Sequence, residues 1–404
     1  MNRWIIHFDA NSFFAACEQA RDVRLRGLPV VVGKERGMSL AVSKEAKDRG
    51  VVRGMPIFEA RRICPELVVL PTDFVLYEEY SRRMASIASD YVDMLEQYSI
   101  DECFLLTSVP YCNGTVSKIR ELARSIQKDI EETLDIRIAV GVAGNHVRAK
   151  MASKVAKKLR LVVAPKGDID FLKDISIENV WGVGRSTVPQ MLTLSIENAY
   201  DFVNTPLGLI RQKFSAPIES LWLELNDKGG VSSFVREKDA QSVQRTRLFE
   251  KPTFIRSEIE SALSYHGESI GEYLRGLHMA ARFGAVILKT KKQIYQFQFE
   301  IPQFVSQSSI IVKYALESIK NIKTLDVPFI GSGIILHGLI PEDRMPANLF
   351  GKKDDTFERW KELYDVINNN ERIKGCLSLA SSLLTNNNRK KSTLFPLIYM
   401  GEVH

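Results

Sequence analysis

The sequence predicts an α+β fold built as two successive units. Short apolar segments typical of strands alternate with longer segments whose apolar residues recur at helical spacing. The order strand, insertion, helix, strand, helix, strand predicts a first sheet with helices on one face. After a glycine- and serine-rich stretch at 228–233, the order strand, helix, two strands, helix, strand predicts a second α+β unit.

Composition sets broad limits on the function of the 404-residue chain. Hydrophobic content of 45% and charged content of 26% are typical of soluble globular proteins, and the net charge of +6 permits a polyanionic partner. Five cysteines without Cys-x-x-Cys spacing and six isolated histidines argue against a disulfide framework or a zinc site. Neither a signal peptide nor an apolar run of membrane-spanning length is found, so we expect a soluble, intracellular protein without membrane contacts.

The first unit is organised around two acidic strands. Asp101 and Glu102 lie within the apolar stretch Tyr98–Leu106, and the apolar strand that begins the chain ends in Asp9. Buried carboxylates are costly unless a cation compensates them, so three of them indicate a hard cation such as Mg²⁺. The alternative is an acidic hairpin turn beside an unrelated aspartate. Because successive strand side chains point to opposite faces, Asp101 and Glu102 share a site only where the strand bends.

The other elements of the first unit follow in order along the chain. A helix begins near Asn11, and short strands are predicted at 28–33 and 40–43. Short helices are predicted at 44–49 and after Pro56. The remaining predictions are a helix at 77–95, the acidic strand, a helix through 119–130 and a strand at 136–142.

Two later segments have the character of phosphate ligands. Seven basic residues and no acidic one lie between Arg148 and Lys166. Such a run in isolation is usually a solvated helix face, but its place directly after the acidic strands favours a functional role. A helical segment of about fifty residues then begins near Ile177, and its Gly182-Val183-Gly184 turn has the helix-hairpin-helix pattern. Glycines let backbone N–H groups approach a phosphate, although any glycine-rich helix connection would match.

The second unit carries its own basic residues. Its predicted strands are 242–249, 280–288, 295–301 and 331–339, and its predicted helices are 257–274 and 308–319. Arg245 and Arg247 alternate along the first of these strands, and Lys289, Lys291 and Lys292 form a basic turn. Alternating cations can follow a phosphate backbone, but a single exposed sheet face would have the same pattern. After Pro346 the chain becomes polar, with one helix predicted near 357–367.

Four motifs together indicate a family. Asp9 followed by Ser12-Phe13-Phe14-Ala15, the Ser99–Glu102 box, Ala149–Ser153 and Gly182–Gly184 occur in this order, and the chain resembles the Y-family translesion DNA polymerases over residues 1 to about 340. The resemblance implies a right-hand polymerase with a βαββαβ little-finger domain. The implied domains are a palm (1–10 and 75–165), small fingers (11–74), a helix-hairpin-helix thumb (166–230), a linker (231–240), the little finger (241–342) and a C-terminal tail (343–404).

The resemblance also implies an activity and its residues. The chain is expected to be a template-directed DNA polymerase of low fidelity that copies damaged DNA, with primer–template DNA and a deoxynucleoside triphosphate as partners. It is expected to be monomeric, cytoplasmic and associated with the nucleoid. Two Mg²⁺ ions, replaceable by Mn²⁺, are expected on Asp9, Asp101, Glu102 and the Ala10 carbonyl. The residues expected at the nucleotide are Ser12, Phe13, Phe14 (the steric gate), Lys44, Lys47 and Lys157. The glycine turn and the basic residues of the second unit give the residues expected at DNA, which are Gly182, Gly184, Arg245, Arg247, Lys289, Lys291 and Lys292.

The chain departs from the family pattern in its basic and polar residues. Many members have Ser/Thr-x-x-Tyr-Glu-Ala-Arg where this chain has Ala41 through Lys47, so two lysines stand in for the usual hydroxyl, tyrosine and arginine. Asn11 replaces a common aspartate and Lys158 a common proline. These changes bear on efficiency and nucleotide preference rather than on the reaction.

Three alternatives or additions accompany this interpretation. A DNA-binding relative without catalysis is expected to lack a metal carboxylate, and all three are present. A nucleotidyl cyclase on a similar palm is expected to carry a Gly-Gly-Asp/Glu-Glu-Phe hairpin, which is absent. In the tail, Leu394 and Phe395 match a degenerate clamp-binding peptide that has Lys391 in place of its usual glutamine. The same apolar cluster could equally pack on the protein's own surface.

Overall fold

In the computed structural model we describe residues 4–34, 37–92, 94–107, 115–228, 241–321 and 327–345. They belong to two compact units, one extending to Lys228 and the other beginning at Gln241. The predicted linker at 231–240, the helix predicted near 357–367 and the clamp-binding segment with Leu394 and Phe395 lie outside these residues. No helix within the described ranges is long and apolar enough to cross a membrane.

The first unit contains a central five-stranded sheet in the order β5-β6-β1-β7-β8, which we call the palm sheet. All neighbouring pairs are antiparallel except β7 and β8. Its strands are β1 (Trp4–Ala10), β5 (Met94–Gln97), β6 (Glu102–Thr107), β7 (Ile138–Ala143) and β8 (Leu161–Val163). The helices packed on this sheet are α4 (Phe74–Ser89), α5 (Val116–Leu134) and α6 (His146–Leu159).

Helices cover both faces of the palm sheet, so the prediction of helices on one face was wrong. Ile6 and Phe8 of β1 share a core with α4 and α5, whereas Ile5 packs against Ala149 and Ala152 of α6. The reason is the alternation of strand side chains, which gives β1 one apolar row for each face. The basic run of the sequence is therefore largely a helix that lies directly on the sheet.

The close approach of α6 to the sheet depends on one glycine. A Cβ atom at Gly141 of β7 would lie 2.1 Å from the backbone nitrogen of Ser153 and 2.2 Å from the carbonyl oxygen of Ala149. His7 lies directly opposite Gly141 on β1, and its Nδ1 is 2.7 Å from the Ser153 hydroxyl. Only a glycine at this position lets the helix backbone rest on the sheet.

The acidic stretch forms a hairpin rather than one continuous strand. The helix predicted at 77–95 ends at Ser89, and Met94 and Leu95 belong to β5, where Met94 is exposed and not part of the core. The backbone N–H groups of Tyr98 and Ser99 donate to the carbonyl of Glu102 and close the turn between β5 and β6. Asp101 therefore lies in the turn, and Glu102 is the first residue of the strand.

A smaller sheet and a helical cluster complete the first unit. The smaller sheet has the order β3-β2-β4. Its strands are β2 (Val30–Gly33), β3 (Ser39–Val42) and β4 (Val68–Leu70), and the nearby helices are α1 (Phe13–Arg21), α2 (Lys44–Asp48) and α3 (Ile57–Ile63). The predicted helical segment after Ile177 contains α7 (Val188–Leu192), α8 (Ala199–Asn204), α9 (Leu207–Lys213) and α10 (Ala216–Leu225), which share one apolar core.

A buried arginine joins this helical cluster to α6. Arg148 is fully buried, and its guanidinium is 3.2 Å from Asp227 and donates to the carbonyls of Leu225, Pro165 and Asp168. A buried charge is tolerated only with such partners. Arg148 therefore ties the end of α10 to the palm sheet.

The second unit is a four-stranded antiparallel sheet in the order β11-β10-β12-β9, with two helices packed on one face. Its elements are β9 (Ser242–Thr253), α11 (Arg256–Gly276), β10 (Met279–Lys289), β11 (Ile294–Val305), α12 (Ser308–Ser318) and β12 (Phe329–His337), together with the short β13 (Ile340–Pro341) paired to β10. This is the predicted βαββαβ order.

The two arginines of β9 point toward the helices. Arg245 and Arg247 are half-buried and follow the core residue Val243 on the same face, whereas Gln244 and Thr246 are exposed on the other face. Burial lowers the pKa of Arg245, against the attraction of two tyrosines and a glutamate on α11. Both arginines also face His266 of α11.

We expect His266 to make the second unit sensitive to acid. Its ring is 3% exposed, its Nε2 is 3.2 Å from the Ser332 hydroxyl, and burial, with Arg247 and Arg245 nearby, lowers its pKa to about 3. The unfolded chain binds a proton near pH 6.5 and the folded unit does not, so stability is lost as pH falls below 6.5. Between pH 7.5 and 5 we expect a loss of about 2 kcal/mol, absent in His266→Gln.

Hydrogen exchange of peptides from β9 to β12 measures this loss in the second unit alone. Replacing the exposed His337 by glutamine is the matched control and should leave the pH dependence of the parent. Equal pH dependence in the parent and in His266→Gln would contradict the prediction.

We expect Gly141→Ala to destabilise the first unit. The added methyl group meets backbone atoms of α6, so the helix must move off the sheet at a cost of about 1–3 kcal/mol in the free energy of unfolding. Urea denaturation followed by fluorescence measures the effect. Gly208→Ala is the matched control, because a Cβ on that α9 residue has nothing within 4 Å, and it should be neutral or slightly stabilising. Similar free energies for both variants would show that the sheet tolerates the methyl group.

Candidate active site

The three predicted carboxylates lie at one end of the palm sheet. Asp9 of β1 and Glu102 of β6 are directly opposite partners in the antiparallel ladder. The Ala10 N–H donates to the carbonyl of Asp101 at 3.0 Å, which holds the hairpin turn against the end of β1. The turn thus supplies the bend that the sequence required between Asp101 and Glu102. Both residues lie at the same end of the palm sheet as Asp9.

Asp9 is a buried carboxylate held by a lysine. Only 9% of the residue is exposed, and Lys157 Nζ is 2.9 Å from its Oδ2. Burial raises the pKa of Asp9 to about 6 against the opposing pull of Lys157, and the negative charges of Glu102 and Asp101 raise it further. A carboxylate with this pKa gains strongly from any cation that binds beside it.

Asp101 and Glu102 have different partners. The Ser99 hydroxyl donates to Asp101 Oδ1 at 2.9 Å, and burial raises the pKa of Asp101 despite this hydrogen bond. Glu102 Oε2 accepts from Lys150 Nζ at 2.7 Å. Within the described residues no three Asp, Glu, His or Cys side chains converge as a ready-made metal site. Two of the three carboxylates are instead occupied by the ammonium groups of α6.

The donor set nevertheless fits a hard cation. Carboxylate oxygens are the ligands that Mg²⁺ prefers, and the backbone holds all three at one end of the sheet, where Asp9 is paired with Glu102 and the Asp101 carbonyl accepts from the Ala10 N–H. Lys157 and Lys150 stand where positive charge is needed. Bound metal would supply that charge once Lys157 turns away from Asp9.

The two adjacent phenylalanines of α1 have different surroundings. Phe13 is 4% exposed and belongs to the palm core, so only its backbone is left for a ligand. Phe14 is half-buried, and its ring stacks on Tyr77 at 4.3 Å between centroids and meets the edge of Phe74 at 5.9 Å. The Tyr77 hydroxyl donates to the buried Glu18 at 2.8 Å, which fixes the ring behind Phe14.

The start of α1 adjoins the carboxylates and is partly open. Ser12 has φ of 55° and precedes α1 without capping it through its side chain. The Lys47 ammonium donates to the Ser12 hydroxyl at 2.6 Å, and burial lowers the Lys47 pKa. Lys44 is exposed and paired with Asp48 in its own helix at 2.8 Å, so the structure does not bring it to this group.

The predicted DNA contacts fall on exposed and on half-buried positions. Gly182 and Gly184 are exposed, and Gly182 has φ of 94°, a conformation that favours glycine. Lys289, Lys291 and Lys292 are exposed at the turn between β10 and β11. Arg245 and Arg247 face the helices instead, because the strand alternation that marked them does not tell which face is exposed.

Sequence reasoning missed the residues around Lys150. The sequence places Lys150 in a basic run and in the Ala149–Ser153 motif but assigns it no partner, and its contacts with Glu102, Tyr98 and Trp181 join segments far apart in the chain. The available signal was the place of Tyr98 three residues before Asp101, at the hairpin turn.

Comparisons with known proteins identify the family of the chain. Residues 8–154 match the impB/mucB/samB family, and residues 240–349 match the C-terminal domain of the same family. The chain is 30% identical to the DNA polymerase IV of Dehalococcoides mccartyi over 287 residues, covering 69% of this chain and 72% of that protein. It is 38% identical to the DNA polymerase IV of Bacillus velezensis, where the match spans about half the length of each protein.

Solved structures of similar fold extend the comparison. A Y-family DNA polymerase chimera of Dbh and Dpo4 superposes with a TM-score of 0.69 at 24% identity, covering 84% of this chain and 99% of that one. An insertion ternary complex of Dbh DNA polymerase gives a TM-score of 0.59 at 23% identity and the same coverage. These likenesses confirm the predicted fold. By its two matched domains and its relatives, the chain belongs to the impB/mucB/samB family of Y-family translesion DNA polymerases.

Proposed function

We propose that the chain is a DNA-directed DNA polymerase of low fidelity that extends primers across damaged template DNA. The observation that carries this proposal is the set of three carboxylates on β1 and the β5–β6 hairpin, two of them neutralised by lysines of α6. Nucleotidyl transfer needs carboxylates that bind metal cations next to basic groups that bind the triphosphate. A catalytically inactive DNA-binding relative is not favoured, because all three carboxylates are kept.

Two Mg²⁺ ions, replaceable by Mn²⁺, are the proposed cofactors. Asp9, Asp101, Glu102 and the Ala10 carbonyl would hold them. When bound, they would make the primer 3′-hydroxyl a better nucleophile and neutralise the triphosphate and departing pyrophosphate. The three carboxylates would hold the cations in place, and the turn between β5 and β6 sets the positions of Asp101 and Glu102 relative to Asp9.

Lys157 and the start of α1 supply the proposed triphosphate site. Lys157 is about half exposed, with 47% of its side chain accessible, so it can exchange Asp9 for a phosphate oxygen when cations reach the carboxylates. Lys47, held on the Ser12 hydroxyl, adds a second charge beside the uncapped N–H groups of α1. In this assignment Lys157 exchanges the Asp9 carboxylate for a phosphate oxygen, and Lys47 exchanges the Ser12 hydroxyl for one.

DNA contacts are proposed at the Gly182–Gly184 turn and at the lysines between β10 and β11. Exposed backbone N–H groups and lysines suit phosphates and read no sequence. We further propose that the protein acts as a monomer, in the cytoplasm at the nucleoid, and that Leu394 and Phe395 dock on a sliding clamp. Such a tether would raise the local concentration of the enzyme at the primer end.

Neutral variants of the acidic pair test the chemistry. Asp101→Asn and Glu102→Gln keep side-chain shape but remove charge, so primer extension with Mg²⁺ should fall by roughly 10²–10³-fold or more, with gel-shift affinity for primer–template little changed. Glu96→Gln is the matched control, a partly buried β5 carboxylate near His146, and it should extend normally. Normal extension by either of the first two variants would refute the metal assignment.

Replacing the half-buried Phe14 ring tests sugar selection. If the Phe14 ring crowds the 2′ position of the incoming nucleotide, Phe14→Ala should raise ribonucleotide use relative to deoxynucleotide use by at least about tenfold. The ratio of the two incorporation efficiencies is the measurement. Phe13→Leu is the control, since that core residue should affect stability but leave the ratio unchanged. An unchanged ratio in Phe14→Ala would place the gate elsewhere.

Removing charge from the second unit tests the DNA contacts. Changing Lys289, Lys291 and Lys292 to glutamine should weaken binding to every template and reduce the slope of log affinity against log salt by about one unit per lost contact. Arg245→Gln with Arg247→Gln should instead lower stability and leave the slope unchanged, because both arginines face the helices. A slope that responds only to the arginine pair would reverse this assignment.

A further inference from the structure

The Lys150 ammonium lies in a cage made by the palm and the helical cluster. Its Nζ is 2.7 Å from Glu102 Oε2, 4.0 Å from the centroid of the Tyr98 ring and 4.9 Å from the centroid of the Trp181 ring. The two rings are nearly perpendicular, at 83°, with centroids 5.5 Å apart. Only 15% of the Lys150 side chain is exposed. A cation between aromatic faces and a carboxylate is strongly held when water is excluded.

The second lysine on this helix has no such cage. Lys157 lies seven residues further along the same face of α6 and contacts Asp9, with 47% of its side chain exposed. Among the described residues, no aromatic ring is found in cation–π contact with Lys157. The structure therefore distinguishes two lysines that the sequence presents as equivalent: one is enclosed and one is open.

We propose that Lys150 is a positioning residue that stays on Glu102 throughout the reaction. Its ammonium engages Oε2 and so fixes the carboxylate rotamer, which leaves the other oxygen, Oε1, to face the cation site. Lys157, by contrast, leaves Asp9 when cations and nucleotide arrive. This inference rests on the proposed polymerase function and deepens it, because it assigns distinct roles to two charges of the same site.

The cage also connects Glu102 to the DNA-binding turn. Trp181 immediately precedes Gly182, and the neighbouring Lys154 ammonium donates to the carbonyl of Asn179 at 2.7 Å. A phosphate bound at the Gly182–Gly184 turn would therefore influence the position of the adjacent Trp181 ring, which forms one side of the cage. Through Lys150, that contact reaches a metal carboxylate, so seating of the DNA and orientation of Glu102 are coupled.

A simpler role would make Lys150 a temporary counter-ion that the metal displaces. In that case removing its charge would relieve a competitor and leave the maximal rate unchanged or higher. For a positioning residue the maximal rate falls, and a longer cation that still fills the cage restores it. The two roles thus predict opposite changes in the same variant.

The test compares Lys150→Met, Lys150→Arg and the control Lys157→Met in single-turnover primer extension, with Mn²⁺ binding followed by electron paramagnetic resonance. Lys150→Met should lower the maximal rate about 10–100-fold, with the nucleotide concentration at half-maximal rate little changed and Mn²⁺ still bound. Lys150→Arg should recover most of the rate. Lys157→Met should mainly raise the nucleotide concentration required.

A maximal rate unchanged in Lys150→Met, loss of Mn²⁺ binding in that variant, or no recovery in Lys150→Arg would each overturn the proposal. A second readout uses Trp181 as the only tryptophan, after Trp4, Trp222 and Trp360 are changed to phenylalanine. Saturating Mg²⁺ should leave its emission maximum unchanged, whereas Lys150→Met should shift it. An equal shift on adding Mg²⁺ would show that Lys150 leaves the cage. If the parent protein extends no primer, the proposed function fails, while the Mn²⁺ and fluorescence readouts still report on the cage.

Discussion

The contact on which the active edge depends is the backbone approach of α6 to β7 at Gly141. Because no side chain intervenes there, the helix lies on the sheet at the level of β1, with Ser153 over His7. The same axial position carries Lys150 to Glu102 and Lys157 to Asp9. If the helix lay farther from the sheet, Lys150 and Lys157 would not reach their carboxylates. The pairing of charges at the site therefore depends on the absence of a side chain at Gly141.

Burial then gives the carboxylates their character. Water would satisfy Asp9 at an exposed strand end, whereas here removal from water raises its pKa to about 6 and makes a nearby cation valuable. The two lysines stabilise the site before ligands arrive. Because one is enclosed by rings and the other is half exposed, they need not respond in the same way when metal and nucleotide bind. Lys150 and Lys157 thus carry the same charge at this end of the sheet but differ in how far they are enclosed.

Much of the architecture could be predicted from local patterns. Apolar periodicity identified every strand of the second unit except the two-residue β13, and the acidic residues in two apolar segments indicated the candidate site. Failures arose where a pattern was compatible with two structures. The spacing of Tyr91 and Met94 continues the period of α4, although the chain has already turned into β5. The alternation of Arg245 and Arg247 defines one face of β9 but not whether helices cover it. The Lys150 cage joins three distant segments, the β5–β6 hairpin, α6 and the chain at Trp181, which no local pattern records.

Arg148 has a consequence for how this protein can be taken apart. Its guanidinium holds Asp227 and the end of α10 to the loop after β8, and Asn145 donates to the Glu224 carbonyl at 2.8 Å beside it. Each of these contacts lies before Lys228. A chain that ends just after Lys228 keeps all of these contacts. Truncation at that point therefore removes the second unit and leaves the helical cluster bound to α6. The position at which the first unit can be separated is therefore set by the contacts of the buried Arg148 and not by the glycines at 229 and 230.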